Sequence, residues 1–177
     1  MFNLKPNKIY INGILQSYTG KKVYNLTETI NNVTMVWNNN LDYTYCMFYN
    51  VKNIIKVDLS KFNSSGITKM FCMFDSCNSL TSIDFTNFDT SSVIDMWGMF
   101  YNCKSLVSID LSNFNTESLV DMTNIFYGCQ SLTSIDLSNF NTPKLKYMQS
   151  PFYNCHELKY VNLTGINTSL ILKNFPN

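Results

Sequence analysis

Four aspartates, Asp58, Asp84, Asp110 and Asp136, stand at one constant interval along the chain, and Asn162 continues the row. Two residues after each comes a hydroxyl: Ser60, Thr86, Ser112, Ser138 and Thr164. On stacked strands about 4.8 Å apart, neighbouring carboxylates repel by roughly 0.8 kcal/mol per pair even in water. Two arrangements relieve that repulsion. Either water and the flanking hydroxyls solvate the row, or the row meets a cation or a basic partner. Calcium suits a line of hard oxygen ligands, but a flat row with no enclosing loop makes only a weak site. The spacing also imitates a glycosidase carboxylate pair, yet a ladder set by repeat geometry explains it without catalysis.

Two residues before the aspartates lies a further column, Lys56, Ser82, Ser108, Ser134 and Tyr160. The three columns form a Ser-Asp-Ser carpet with different chemistry at each end, a candidate binding surface of the kind repeat proteins use. Six cysteines fall into two columns, Cys77, Cys103, Cys129 and Cys155, with Cys46 and Cys72 five places earlier. They replace apolar residues at core-facing places, which favours packing as small buried hydrophobes. Adjacent rungs also bring sulfurs within disulfide reach, and the even count permits pairing. No second ligand pair at zinc spacing accompanies them. His156, the single histidine, reads as a surface residue. No nucleophile elbow, metalloprotease helix, phosphate loop or dinucleotide fingerprint occurs. The expectation is a non-enzyme with no cofactor and no metal.

The elements that carry these columns follow from one period. Phe48, Phe74, Phe100, Phe126 and Phe152 recur at the interval of the aspartates, as do Leu80, Leu106, Leu132 and Leu158, and Met70, Met96, Met122 and Met148. One unit, residues 80–105, opens L-x-x-I-x-F-x-x-F, the spacing of a leucine-rich repeat. Ile83 and Phe85 alternate with Ser82, Asp84 and Thr86, as a strand with one buried face requires. Val93, Met96, Met99, Phe100 and Cys103 then recur at threes and fours, which predicts a short helical, 3-10 or irregular segment on the outer side. About eight core positions at roughly 2 kcal/mol each fall short of ordering the whole unit at about 1.5 kcal/mol per residue. Only stacking makes such a unit stable. The predicted fold is a leucine-rich-repeat-like solenoid with a parallel sheet on its concave face.

Residues 30–167 hold about five repeats plus a degenerate first one, to which Val33 and Met35 are assigned. Residues 1–29 depart from the pattern and read as an N-terminal cap, with Asn12-Gly13 as a hairpin turn between β-prone runs. Residues 168–177 read as a C-terminal cap or tail. Charged residues make up 14% and apolar ones 45% of the 177-residue chain. No run approaches the roughly 18 apolar residues of a membrane span. A net charge of +1 with no basic run removes the simplest case for nucleic acid.

The recurring string M-F-Y-x-C-x-S-L-x-S-I-D-L-S-N-F-N-T, clearest in residues 98–116 and 124–142, closely resembles the BspA-like leucine-rich-repeat surface proteins. It is most similar to the 26-residue variety of mycoplasma lipoproteins, over roughly residues 30–167. The resemblance implies a solenoid, a cell-surface or secreted setting, and adhesion or host contact, with no catalytic residues to carry over. The leading expectation is thus a binding module that contacts a protein or glycan through the concave face. The alternative is an intracellular, cytoplasmic scaffold that self-associates through solenoid ends or edges.

Overall fold

A computed structural model of the chain describes residues 41–167 continuously, together with residues 6, 8–12, 14–16, 33–36 and 169. Two compact units emerge, residues 1–40 and 41–177. In the first, β1 (Lys8–Ile11), β2 (Ile14–Gln16) and β3 (Val33–Val36) form an antiparallel sheet in the order β2-β1-β3. Ile11 pairs with Ile14 across the turn, where Asn12 takes a φ of 52°, a conformation asparagine tolerates. Val33 and Met35 belong to this sheet, paired antiparallel with β1, and not to a parallel rung of the repeats. The expected C-terminal cap falls almost entirely outside the described residues.

The second unit is a stack of 26-residue coils built from short strands and turns. Strand β4 (Lys56–Asp58) pairs in parallel with β5 (Ser82–Asp84), and β6 (Ser134–Asp136) with β7 (Tyr160–Asn162), each residue meeting its equivalent in the next coil. The predicted continuous sheet is broken in the middle: Ser108–Asp110 forms no strand. Thr81 and Thr133 hold the preceding coil through their hydroxyls, on the carbonyls of Ile55 and Val107 at 3.0 and 3.2 Å. Val107, at the same place in the third coil, has no hydroxyl to offer Thr81. The unbroken line lies elsewhere, in parallel bridges joining Tyr43, Lys69, Asp95, Asp121 and Tyr147.

That line explains why no helical element forms within residues 41–167. A helix consumes its N–H groups internally, each on the carbonyl four residues back. Here Met96, Gly98, Phe100 and Asn102 donate instead to Asp121, Thr123, Ile125 and Tyr127 of the next coil, at 2.7–2.9 Å. The alternate N–H groups close i to i+3 turns, as in Met99 to Met96 and Tyr101 to Gly98. Left-handed residues punctuate the segment in two columns. One holds Cys46, Cys72, Gly98, Asn124 and Ser150; the other holds Asn50, Ser76, Asn102, Gly128 and Asn154. Successive turns share the three-residue spacing of a helix, so the expected 3-10 or helical alternative gives way to the irregular one.

Inside, Phe48, Phe74, Phe100, Phe126 and Phe152 stack with centroids 5.2, 5.8, 5.3 and 5.9 Å apart and rings within 7° of parallel. Phe85 meets Phe74 and Phe100 edge-on, an arrangement the ring quadrupole favours. All six cysteines are free thiols. The four of the later column do more than fill space: Cys77, Cys103, Cys129 and Cys155 donate to the carbonyls of Phe48, Phe74, Phe100 and Phe126 at 3.0–3.2 Å. Burial pushes Cys77 up to about 12 and Cys155 up to about 11, and raises Cys103 and Cys129 as well. These thiols stay protonated and serve as donors.

A second polar spine, buried, staples the coils at the far turn. The Thr90 hydroxyl donates to the Asn115 carbonyl at 2.9 Å and accepts the Asn115 N–H at 2.8 Å; Thr116 repeats this with Asn141 at 3.1 and 3.0 Å. Thr116→Val keeps the shape but leaves the Asn141 N–H and carbonyl without the hydroxyl they share. It is expected to cost about 2 kcal/mol, read from the urea midpoint at unchanged slope. A shift too small to resolve would remove the staple.

Candidate functional site

The strand columns place the sequence-predicted binding residues on one face. Lys56, Asp58, Ser82, Asp84, Thr86, Ser108, Asp110, Ser112, Asp136, Ser138 and Tyr160 are exposed, while Ser60, Ser134 and Asn162 are half-buried. Parallel register sets Lys56 against Ser82, Asp58 against Asp84, Ser134 against Tyr160 and Asp136 against Asn162. Ser108 and Asp110 share no strand pairing with either neighbour.

Each acidic side chain is tied to its own turn. Asp58 accepts the Ser60 N–H at 2.9 Å and its hydroxyl at 2.6 Å. Asp84, Asp110 and Asp136 accept the N–H of Thr86, Ser112 and Ser138 at 2.8, 2.9 and 2.8 Å. Asn162 does the same with Thr164. The Ser60, Ser112 and Ser138 hydroxyls, reinforced by the backbone N–H groups, hold Asp58, Asp110 and Asp136 below the usual carboxylate range. Had mutual repulsion governed the row, these groups would have moved upward. Hydroxyls and N–H groups outweigh the repulsion at Asp58, Asp110 and Asp136, and each of the four carboxylates is fixed in orientation by its own turn.

The break in the sheet adds something a uniform carpet lacks. Where Ser108–Asp110 fails to pair with β5, a shallow depression of about 240 Å³ opens, lined by Asp84, Thr86, Asn87, Asp110, Ser112 and Asn113. Two carboxylates and two hydroxyls converge there, between adjacent coils. Among the described residues, no three His, Cys, Asp or Glu side chains are grouped to hold a metal ion. His156 is exposed.

A second acidic pair escaped the sequence reading. Asp95 and Asp121 adjoin on the unbroken bridge line, with Lys69 on the preceding coil. Burial raises Asp95 above the usual range and the Asp121 charge adds to it, against the opposing pull of the Trp97 N–H and of Lys69. Both carboxylates cap their own turns, on the N–H groups of Trp97 and Thr123. The signal was the same D-x-x spacing as in the first row, present in two coils only. Tyr101, Tyr127 and Tyr153 also stack, at 4.6 and 5.0 Å.

The family described as Mycoplasma protein of unknown function, DUF285, matches the chain twice, over residues 14–109 and 76–172. Neither a curated protein nor a solved structure matches it. No helix among the described residues is long and apolar enough to cross a membrane.

Proposed function

The chain belongs to the DUF285 family of mycoplasma repeat proteins, and we propose that it is a non-catalytic binding module. It is a leucine-rich-repeat-like solenoid of the BspA-like kind, set at the cell surface or secreted, and it holds a protein or glycan against its strand face. The depression between Asp84 and Asp110 carries this reading. It offers fixed acceptors and hydroxyls at one place along an otherwise repetitive face. Such groups suit a basic side chain or a sugar hydroxyl.

The paired substitution Asp84→Asn/Asp110→Asn tests it. Asn162 already caps the same turn as an amide, so asparagine removes charge without losing the fold. Labelled protein is applied to a printed array of basic peptides and glycans. Binding is expected to drop at least tenfold in the variant and to persist in Tyr153→Ala. Equal binding by the double variant and the parent chain would overturn the assignment.

A scaffold that self-associates through its ends is the second reading, favoured by Val161. That residue is 37% exposed on β7, whereas its equivalent Ile135 on β6 is 1% exposed, and exposed apolar surface marks an interface. Sedimentation that shows only monomer at high concentration would dismiss it.

A further inference from the structure

We propose that Cys46 and Cys72 form an oxidation site, at which a low-molecular-weight disulfide cross-links the first two coils. The two residues hold equivalent places on adjacent coils, both left-handed, with φ of 54° and 52°. Their N–H groups run in parallel to the next coil, onto Phe71 and Trp97 carbonyls at 3.1 and 2.9 Å. A Cβ at Gly98, the next residue of the column, would lie 3.6 Å from the Cys72 sulfur. A side chain in this column therefore lies over the Cβ of the coil that follows, and the same register sets the Cys46 sulfur over Cys72. Coils about 4.8 Å apart fall inside the Cα separation a disulfide requires. The other four thiols are engaged with backbone carbonyls.

The two sulfurs divide the chemistry by exposure. Cys46 is half-buried and Cys72 is 6% exposed, so Cys46 meets the reagent first. Burial raises the Cys46 thiol above its ordinary value, so a small thiolate fraction attacks the disulfide RS–SR, forms Cys46–S–SR and releases one RS⁻. Burial raises the Cys72 thiol and the Asp75 charge raises it further, so this sulfur reacts only as a base removes its proton; burial also raises the Asp75 carboxyl, which interacts with that thiol. It takes the Cys72 proton as that sulfur attacks Cys46 and expels the second RS⁻. Two protein thiols are oxidised and one disulfide is reduced to two thiols. Asp75 is the general base of the closing step.

The full chain is incubated with oxidised glutathione, alkylated under native conditions, digested and weighed. The expected product is a Cys46–Cys72 linked peptide, with Cys103 and Cys129 reduced and alkylated only after denaturation. In Cys72→Ser the reaction stops at a stable glutathione adduct on Cys46. Asp75→Asn slows closure at least tenfold while adduct formation keeps its rate. A parent chain that retains glutathione on Cys46, or that links any other pair, would overturn the proposal. So would an Asp75→Asn chain that closes at the parent rate.

Discussion

Between pH 9 and pH 11 the array is expected to lose most of its stability. The spine thiols titrate from an ordinary value of 9.0 when unfolded, but burial lifts Cys77 to about 12 and Cys155 to about 11 in the folded chain. Below pH 9 both states hold these protons, and nothing is lost. Above it the unfolded chain gives up protons that the folded chain keeps, so unfolding gains ground until the folded values are reached. Cys77, Cys103 and Cys129 are fully buried. Each withdraws about 1.4 kcal/mol per pH unit, and together they remove about 4. Against a total of about 5–15 kcal/mol, two units suffice. Urea titrations at pH 8, 9 and 10 measure the slope directly. Cys103→Ser, which keeps a donor but does not ionise in this range, is expected to reduce that slope by one thiol's share. A stability that stays flat to pH 10.5 would mean that the thiols are not held as buried donors.

Phe100→Ala is expected to destabilise the chain by about 4 kcal/mol, near the top of the range for truncating a buried phenylalanine. Phe100 is fully buried, stacked on Phe74 and Phe126 and met edge-on by Phe85. The hole would sit between coils whose backbones are tied on both sides by the bridge line, so neighbouring rings cannot slide in to fill it. Phe152, half-buried in the last full rung, is expected to cost about half as much. Denaturant midpoints at unchanged slope report both. A loss under about 1 kcal/mol at Phe100, well below the range for a packed ring, would deny that the rings form one continuous layer.

The repeat period made the stack legible, because equivalent apolar residues in register have only one way to bury both faces. Much else had no local signal. Ser-Ile-Asp occurs three times, at 82–84, 108–110 and 134–136, yet only the first and last are strands. Pairing at that face depends on the neighbouring coil, which the triplet itself does not encode. The helix-like spacing of Val93, Met96 and Met99 arose from stacked turns, whose three-residue step mimics a helical face. Cys46 and Cys72 looked like core cysteines, although Gly98, Asn124 and Ser150 below them mark a left-handed column. The buried hydroxyls of Thr90 and Thr116 were hidden in a run that reads as polar turn. The acidic row was visible at once, but its caps and the depression at Asp84 and Asp110 required three-dimensional placement.

Scalar couplings transmitted through hydrogen bonds, measured by NMR on isotopically labelled protein, test the stacking most directly. Each coupling names a donor nitrogen and its acceptor carbonyl carbon. Phe100 N is expected to couple to Ile125 C′, Met96 N to Asp121 C′ and Asn102 N to Tyr127 C′, each reaching forward into the next coil. Coupling of Phe100 N to Met96 C′, back within its own coil as in a helix, would contradict the coil-to-coil ladder.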